Sequence, residues 1–236
     1  MTLRNVPTHG GHSGWIGQVT LPKTFGMASW WIPTGYNASN CLVAYQPKGA
    51  ATQASSYINL ANPGTYDAYA GTVPSWSASK GWTFLDSSNQ YLYTGAKVTT
   101  QNFSYIVQIS EGNPSSAASM SICGCNDAGY GSWYSLWCNY ASGGAEYDNG
   151  GSYVTAPAFT TGNLAVAGRY GYRNGVVDTT AMANKAQSTE FFTIGHIQRS
   201  VGSSYPYKGN VHAFALYSST LTASEVAEVA RNMATI

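Results

Sequence analysis

FFTIGHIQRSVGSSYPYKGNVHAFALYSSTLTASEV, Phe191 to Val226, decides how this chain is read. A short apolar run ends at Ile194-Gly195 and passes into a polar loop. Tyr207-Lys208-Gly209-Asn210 then turns into an alternating strand. Successive side chains of a strand point to opposite sides, so Val211, Ala213, Ala215 and Tyr217 share one face and His212, Phe214, Leu216 and Ser218 the other. Thr222-Ala223-Ser224-Glu225 is a capping box, in which the threonine oxygen accepts from the Glu225 amide and the glutamate reaches back. Val226, Val229, Ala230 and Met233 follow at helical spacing and form one apolar stripe. Working upstream, LAVAGRY (164–170) and YRNGVVD (172–178) read as two strands, with Asn174-Gly175 supplying the positive backbone angles of a tight turn.

Taken in order, these pieces resemble the laminin-G-like members of the concanavalin A-like lectin and glucanase superfamily. The residues that carry the resemblance are Tyr172 to Val176, Thr193 to Gly195, Lys208 to Val211 and Leu221 to Val226. Gly81-Trp82-Thr83-Phe84 and Tyr91-Leu92-Tyr93-Thr94-Gly95 look like that family's first strands, with the apolar-x-apolar beat of a half-buried sheet edge. The segment Leu42 to Tyr69 is similar to the openings of such domains in bacteriophage and prophage virion proteins. The resemblance implies an all-β fold, an antiparallel two-sheet β-sandwich of the jelly-roll kind, with a short C-terminal helix. The arginine usual in the family's long penultimate strand is replaced here by Ala215 or Leu216, so no role is carried over for it.

The 236 residues suit one large sandwich, and 44% hydrophobic residues supply its core. Charged residues are only 9% and the net charge is +1, against about a quarter charged in ordinary soluble proteins. No charge run exists to draw nucleic acid or an anionic membrane, and no apolar run approaches a membrane span. With 26 Gly, 18 Tyr and 7 Trp, the surface is expected to be covered by small polar residues and aromatic hydroxyls. Such a surface suits stacking on sugars or packing into a permanent assembly, and a near-zero net charge favours a homo-oligomeric or lattice-bound state. The opening MTLRNVPTHGGHSGW has neither the basic nor the apolar region of a signal peptide. Synthesis and use without export is therefore expected, as in a virion released by lysis; an extracellular location is the alternative.

Residues 1–40 read as an N-terminal arm or added strands and 41–236 as the sandwich. Trp15, Trp30 and Trp31 in the arm are candidates for assembly contacts, packed either on their own domain or on a neighbour. Phe103, Tyr105, Val107 and Ile109 fall on one face of a central strand lining the core, with Ser104, Ile106 and Gln108 behind. Cys41, Cys123, Cys125 and Cys138 match no zinc spacing. Cys123 and Cys125 share one strand face, too constrained to pair with each other. Four reduced, mostly buried thiols are expected, with a Cys138 bridge to either as the alternative.

An enzyme of the glucan-cleaving branch resembles Glu-x-Asp-x-x-Glu on one strand, which sets a nucleophile and an acid on one face. The nearest approach here, Glu146-Tyr147-Asp148, lacks the third carboxylate, and its flanking glycines read as a solvated hairpin tip. No Gly-x-Ser-x-Gly elbow, phosphate loop or histidine metal set is present. A non-enzyme is therefore expected. No cofactor is required, although calcium merits consideration through Asp127, Asp148, Asn149 and Asp178 near turns, since several members of the family hold one at the sandwich rim. Sugar recognition needs aromatic faces flanked by amide and hydroxyl groups. The densest such set is Trp133, Tyr134, Trp137 and Tyr140, with Asn126, Asp127 and Asn139 for polar contacts; the same rings would equally serve as sheet core. Arg169, Tyr170, Tyr172 and Arg173 form a second cluster, which cross-strand stacking explains as well. The expected function is a virion-associated capsid decoration or tail-fibre module, adhering to surface glycans or neighbouring virion proteins. A carbohydrate-binding module of a secreted bacterial protein is second and a glycoside hydrolase a distant third.

Overall fold

The computed structural model describes residues 29–85, 89–97, 102–113, 120–126, 133–139, 144–149, 153–183, 188, 190–199 and 205–236. Two sheets face each other. The first contains β1 (Cys41–Tyr45), β3 (Ser75–Ser77), β4 (Gly81–Phe84), β6 (Ser104–Ser110), β11 (Gly162–Ala167), β12 (Tyr170–Arg173), β13 (Val176–Val177) and β16 (Gly209–Tyr217). The second contains β2 (Tyr69–Thr72), β5 (Tyr91–Lys97), β7 (Met120–Asn126), β8 (Trp133–Asn139), β9 (Gly144–Asn149), β10 (Tyr153–Pro157), β14 (Phe191–Ile194) and β15 (Gln198–Arg199). The first runs β13-β12-β11-β6-β16-β4-β3, with β1 also on β16, and the second β10-β9-β8-β7-β14-β5-β2. All these pairs are antiparallel; the short β15, off that path, lies parallel to β7. A one-turn helix, α1 (Gln53–Ser56), precedes the sheets' edge strands, and α2 (Ala223–Met233) closes the chain. The protein is thus an all-β, two-sheet sandwich with a short C-terminal helix.

The alternation read in the long strand β16 holds, but both of its faces are covered. Phe214 and Leu216 enter the core between the sheets, whereas Ala213, Ala215 and Tyr217 lie under α2. A bulge between Val211 and Ala213 turns Val211 to the core side instead. β6 behaves as its pattern predicts, with Tyr105, Val107 and Ile109 in the core and Ile106 toward the helix. The Thr222 capping box forms, with its hydroxyl accepting from the Glu225 amide, and Val226, Val229, Ala230 and Met233 are buried. Asn174 and Gly175 take φ of 50° and 80° in the tight turn. A Cβ on Gly175 would stand 2.8 Å from the Ala227 Cα, so this turn seats the helix.

Trp15 lies outside the described residues. Trp30 is buried against its own domain and donates to the Gln46 side chain at 3.0 Å. Trp31 packs edge-on against it, and its carbonyl accepts from the Tyr217 hydroxyl. The four cysteines are buried and none is in a disulfide. Burial pushes the Cys41 and Cys138 thiols up to about 12. No described helix is long and apolar enough to cross a membrane.

Candidate functional site

The run around Glu146 is not the solvated hairpin tip its sequence suggests. It is strand β9, hydrogen-bonded on both sides, to β8 and β10. Alternation sends Ala145 and Tyr147 into the core and Glu146 and Asp148 to the outer face of the second sheet, where both carboxyls are buried, 3% and 4% exposed. Asp148 accepts from the Trp137 indole at 2.7 Å and from the Ser135 hydroxyl at 2.5 Å. Glu146 stands in hydrogen-bond contact with it, and its Oε2 has no partner. Burial first, then the charge of Asp148 and the shared hydrogen bond, raises Glu146 far above the ordinary carboxylate range. Burial also raises Asp148, against the lowering effect of the hydrogen bonds from Ser135, Trp137 and Glu146. Burial of the two carboxyls together thus favours one proton held by the pair at neutral pH.

The carboxylates fix the aromatic cluster beside them. Trp137, 1% exposed, is held by Asp148; Trp133 stands 6.1 Å away by ring centroids, and Tyr205 packs against both, at 5.0 Å from Trp137 and 6.2 Å from Trp133. Trp133 and Tyr205 are partly exposed. Trp133 and Trp137 lie on one face of β8, and the polar groups beside them are Ser135, Glu146 and Asp148. Tyr134 points the other way. It is fully buried in the core, edge-on to Phe103 at 4.9 Å, and offers no ring to a ligand. Asn126 pairs with Trp133 across the ladder and is buried, and Asn139 is buried at the end of β8. Tyr140 and Asp127 lie outside the described residues.

Of the calcium candidates, Asp148 belongs to the acid pair and Asn149 donates to the Gly168 carbonyl. Asp178 is occupied by Arg173 and by the Tyr147 hydroxyl, each at 2.9 Å. These three do not converge, and the described residues contain no cluster of three or more His, Cys, Asp or Glu able to hold a metal. Arg169 and Arg173 are likewise engaged, with the carbonyls of Met182 and Pro157.

The register places a single row of residues across six strands of this face: Asp148, Ser135, Gly124, Thr193, Tyr93 and Tyr69. At about 4.8 Å per strand the row is about 24 Å long. Its middle is closed, since Ser135 and Thr193 are fully buried. At the far end the face opens into a tyrosine group. Tyr69 stacks on Tyr93 with centroids 5.0 Å apart, Tyr91 meets Tyr93 edge-on at 5.1 Å, and His196 lies flat under Tyr91 at 3.8 Å. Sequence reading missed this group, although Tyr91 and Tyr93 share strand parity; its partner Tyr69 arrives from an edge strand with no clear alternation.

No protein-family profile matches the chain, and no curated protein is significantly similar in sequence. Solved structures share its fold. Trypanosoma rangeli sialidase in complex with 2,3-difluorosialic acid aligns with a TM-score of 0.55 and 12% identity over 86% of this chain and 35% of the sialidase. The receptor binding domain of botulinum neurotoxin D aligns with a TM-score of 0.53 and 12% identity, over 82% of this chain and 53% of that one. The chain therefore spans about a third of the one and half of the other. At such identities the likeness is one of fold: a sandwich shared by an enzyme and a receptor-binding protein.

Proposed function

We propose that this chain is a non-catalytic adhesion module of the concanavalin A-like jelly-roll type that binds glycans beside Trp133. The observation that carries the reading is the Trp133–Trp137–Tyr205 cluster, whose inner indole is locked by a buried carboxylate. A pyranose packs its axial C–H groups on such rings, and rings fixed in advance lose little entropy on binding. The acid pair supports a binding role over hydrolysis. A retaining glycosidase keeps its carboxyls about 5–5.5 Å apart with the sugar between them, whereas these two are in hydrogen-bond contact.

The setting we favour is a phage virion, as a capsid decoration or tail-fibre component working as an oligomer or in a lattice. Its support is the charge-poor composition, 9% charged with a net charge of +1, and the resemblance of the segment from Leu42 to Tyr69. A carbohydrate-binding module of a secreted bacterial protein is the second reading, favoured by the likeness to a sialidase and a toxin receptor-binding domain. A glycan array, run with and without calcium on the full chain, tests the common element. Specific hits lost on Trp133→Ala support it. A silent array from folded, oligomeric protein points to protein partners alone and overturns it.

A further inference from the structure

The open tyrosine group lies outside the Trp133 cluster, and we infer that it is a second glycan site, a track for an uncharged, extended oligosaccharide. Four rings line it. Tyr69 is 51% exposed and Tyr66 41% exposed, while Tyr91 and Tyr93 are half-buried between them. Tyr66 lies over Gly95, where an added Cβ would meet its Cδ1 at 3.5 Å, one pleat along β5 from Tyr93.

The track is built rather than incidental. Tyr66 has φ of 59°, a conformation that costs a non-glycine residue about 1–2 kcal/mol. It is held there because the buried Tyr45 hydroxyl donates to the Tyr66 carbonyl. The loop before it is pinned by Asn59, which donates to the Thr65 and Leu42 carbonyls, and by Asp67, which accepts from the amides of Asn59 and Gly64. Tyr91 rests directly on Gly71, where a Cβ would fall 2.0 Å from the ring. Beneath it His196 is 6% exposed, with neither ring nitrogen paired, and burial keeps it neutral down to about pH 4.

The chemistry of the track selects its ligand. Its hydrogen bond with Tyr91 holds the Tyr93 phenol neutral, pushing it up to about 12. Lys97, at the end of the same strand, lies over the Phe191 ring at 4.5 Å. Exposed, uncharged rings in series, each tipped by a hydroxyl, match the flat C–H faces and hydroxyl rims of successive sugars. The proposal rests on the glycan-binding reading for its ligand class, but its edge residue Tyr69 on β2 stands four strands, about 19 Å, from β8, which carries Trp133.

The test is calorimetric titration of the full chain with cellohexaose, xylohexaose, mannohexaose and cellobiose. We expect one hexasaccharide to bind more tightly than a disaccharide, and Tyr69→Ala to weaken it about three- to tenfold. Tyr66→Gly, which suits the left-handed backbone, should weaken it similarly without harming the fold. With the first site removed by Trp133→Ala, the share of binding that Tyr69→Ala weakens should remain. Binding that is lost in Trp133→Ala but kept in Tyr69→Ala overturns the track and leaves the first site standing. No hexasaccharide binding overturns the track, while Trp133-dependent hits on the array still uphold the first site. A fall in oligomer mass in Tyr69→Ala by light scattering means that a second copy of the chain covers the rings, and also overturns the assignment.

Discussion

Glu146→Gln isolates the proton held by the buried pair. Glutamine keeps the shape of a protonated carboxyl and can still donate to Asp148, but it does not titrate. In the fold, burial and then the neighbouring Asp148 hold Glu146 above its unfolded value, which lies near 4.3. The native chain therefore retains a proton that the unfolded chain releases. The resulting stabilisation is complete below about pH 4 and is lost progressively as pH rises toward the raised native value. One retained proton changes stability by about 1.4 kcal/mol per pH unit, so the natural protein should lose roughly 2–3 kcal/mol between pH 5 and pH 7 that Glu146→Gln keeps. Asp148 is also raised, but it is present in both proteins and largely cancels in the difference. Urea denaturation followed by tryptophan fluorescence at pH 5, 6 and 7 reads this directly. If the two proteins give stability curves parallel within about 0.5 kcal/mol, Glu146 titrates as a solvated carboxylate and the buried pair is wrong.

Other outcomes follow from the same contacts. Asp148→Ala strips the acceptor from Ser135 and Glu146 and leaves the Trp137 indole only the Ser135 Oγ at 2.7 Å; the donors left buried without a partner should cost about 1–3 kcal/mol in denaturant unfolding at pH 7. Gly175→Ala combines a φ of 80° with a clash on the Ala227 backbone, and should lower stability by at least about 1–2 kcal/mol in the same assay, loosening α2. The four thiols are buried, so Ellman's reagent should find none in the native protein and all four once it is unfolded.

The resemblance and the strand alternation together read out most of the architecture. β6 and β16 were legible because a period of two needs only neighbouring residues, and α2 because its capping box and apolar stripe are complete within Thr222 to Met233. The same local signals misplaced β9. Glu146-Tyr147-Asp148 between glycines has the composition of a turn, and only pairing with β8 and β10 makes it a strand. Tyr134 was misplaced for the complementary reason: aromatic density marks a strand without saying which ring meets the core.

The sequence by itself determined which side chains share a face, where the tight turn and final helix fall, and that the surface is poor in charge. Tertiary structure alone decided which faces are sealed. Glu146 and Asp148 hold a proton because pairing of β9 with its neighbours buries both carboxyls away from water, while Trp137 and Ser135, from another strand, donate to Asp148 and oppose part of that rise. The tyrosine track exists because Tyr69 and Tyr93 come into register across a ladder. Alternation is a property of one strand, whereas burial, pKa and ligand-sized surfaces are properties of several strands brought together laterally, and that pairing is set by chain segments far apart in sequence.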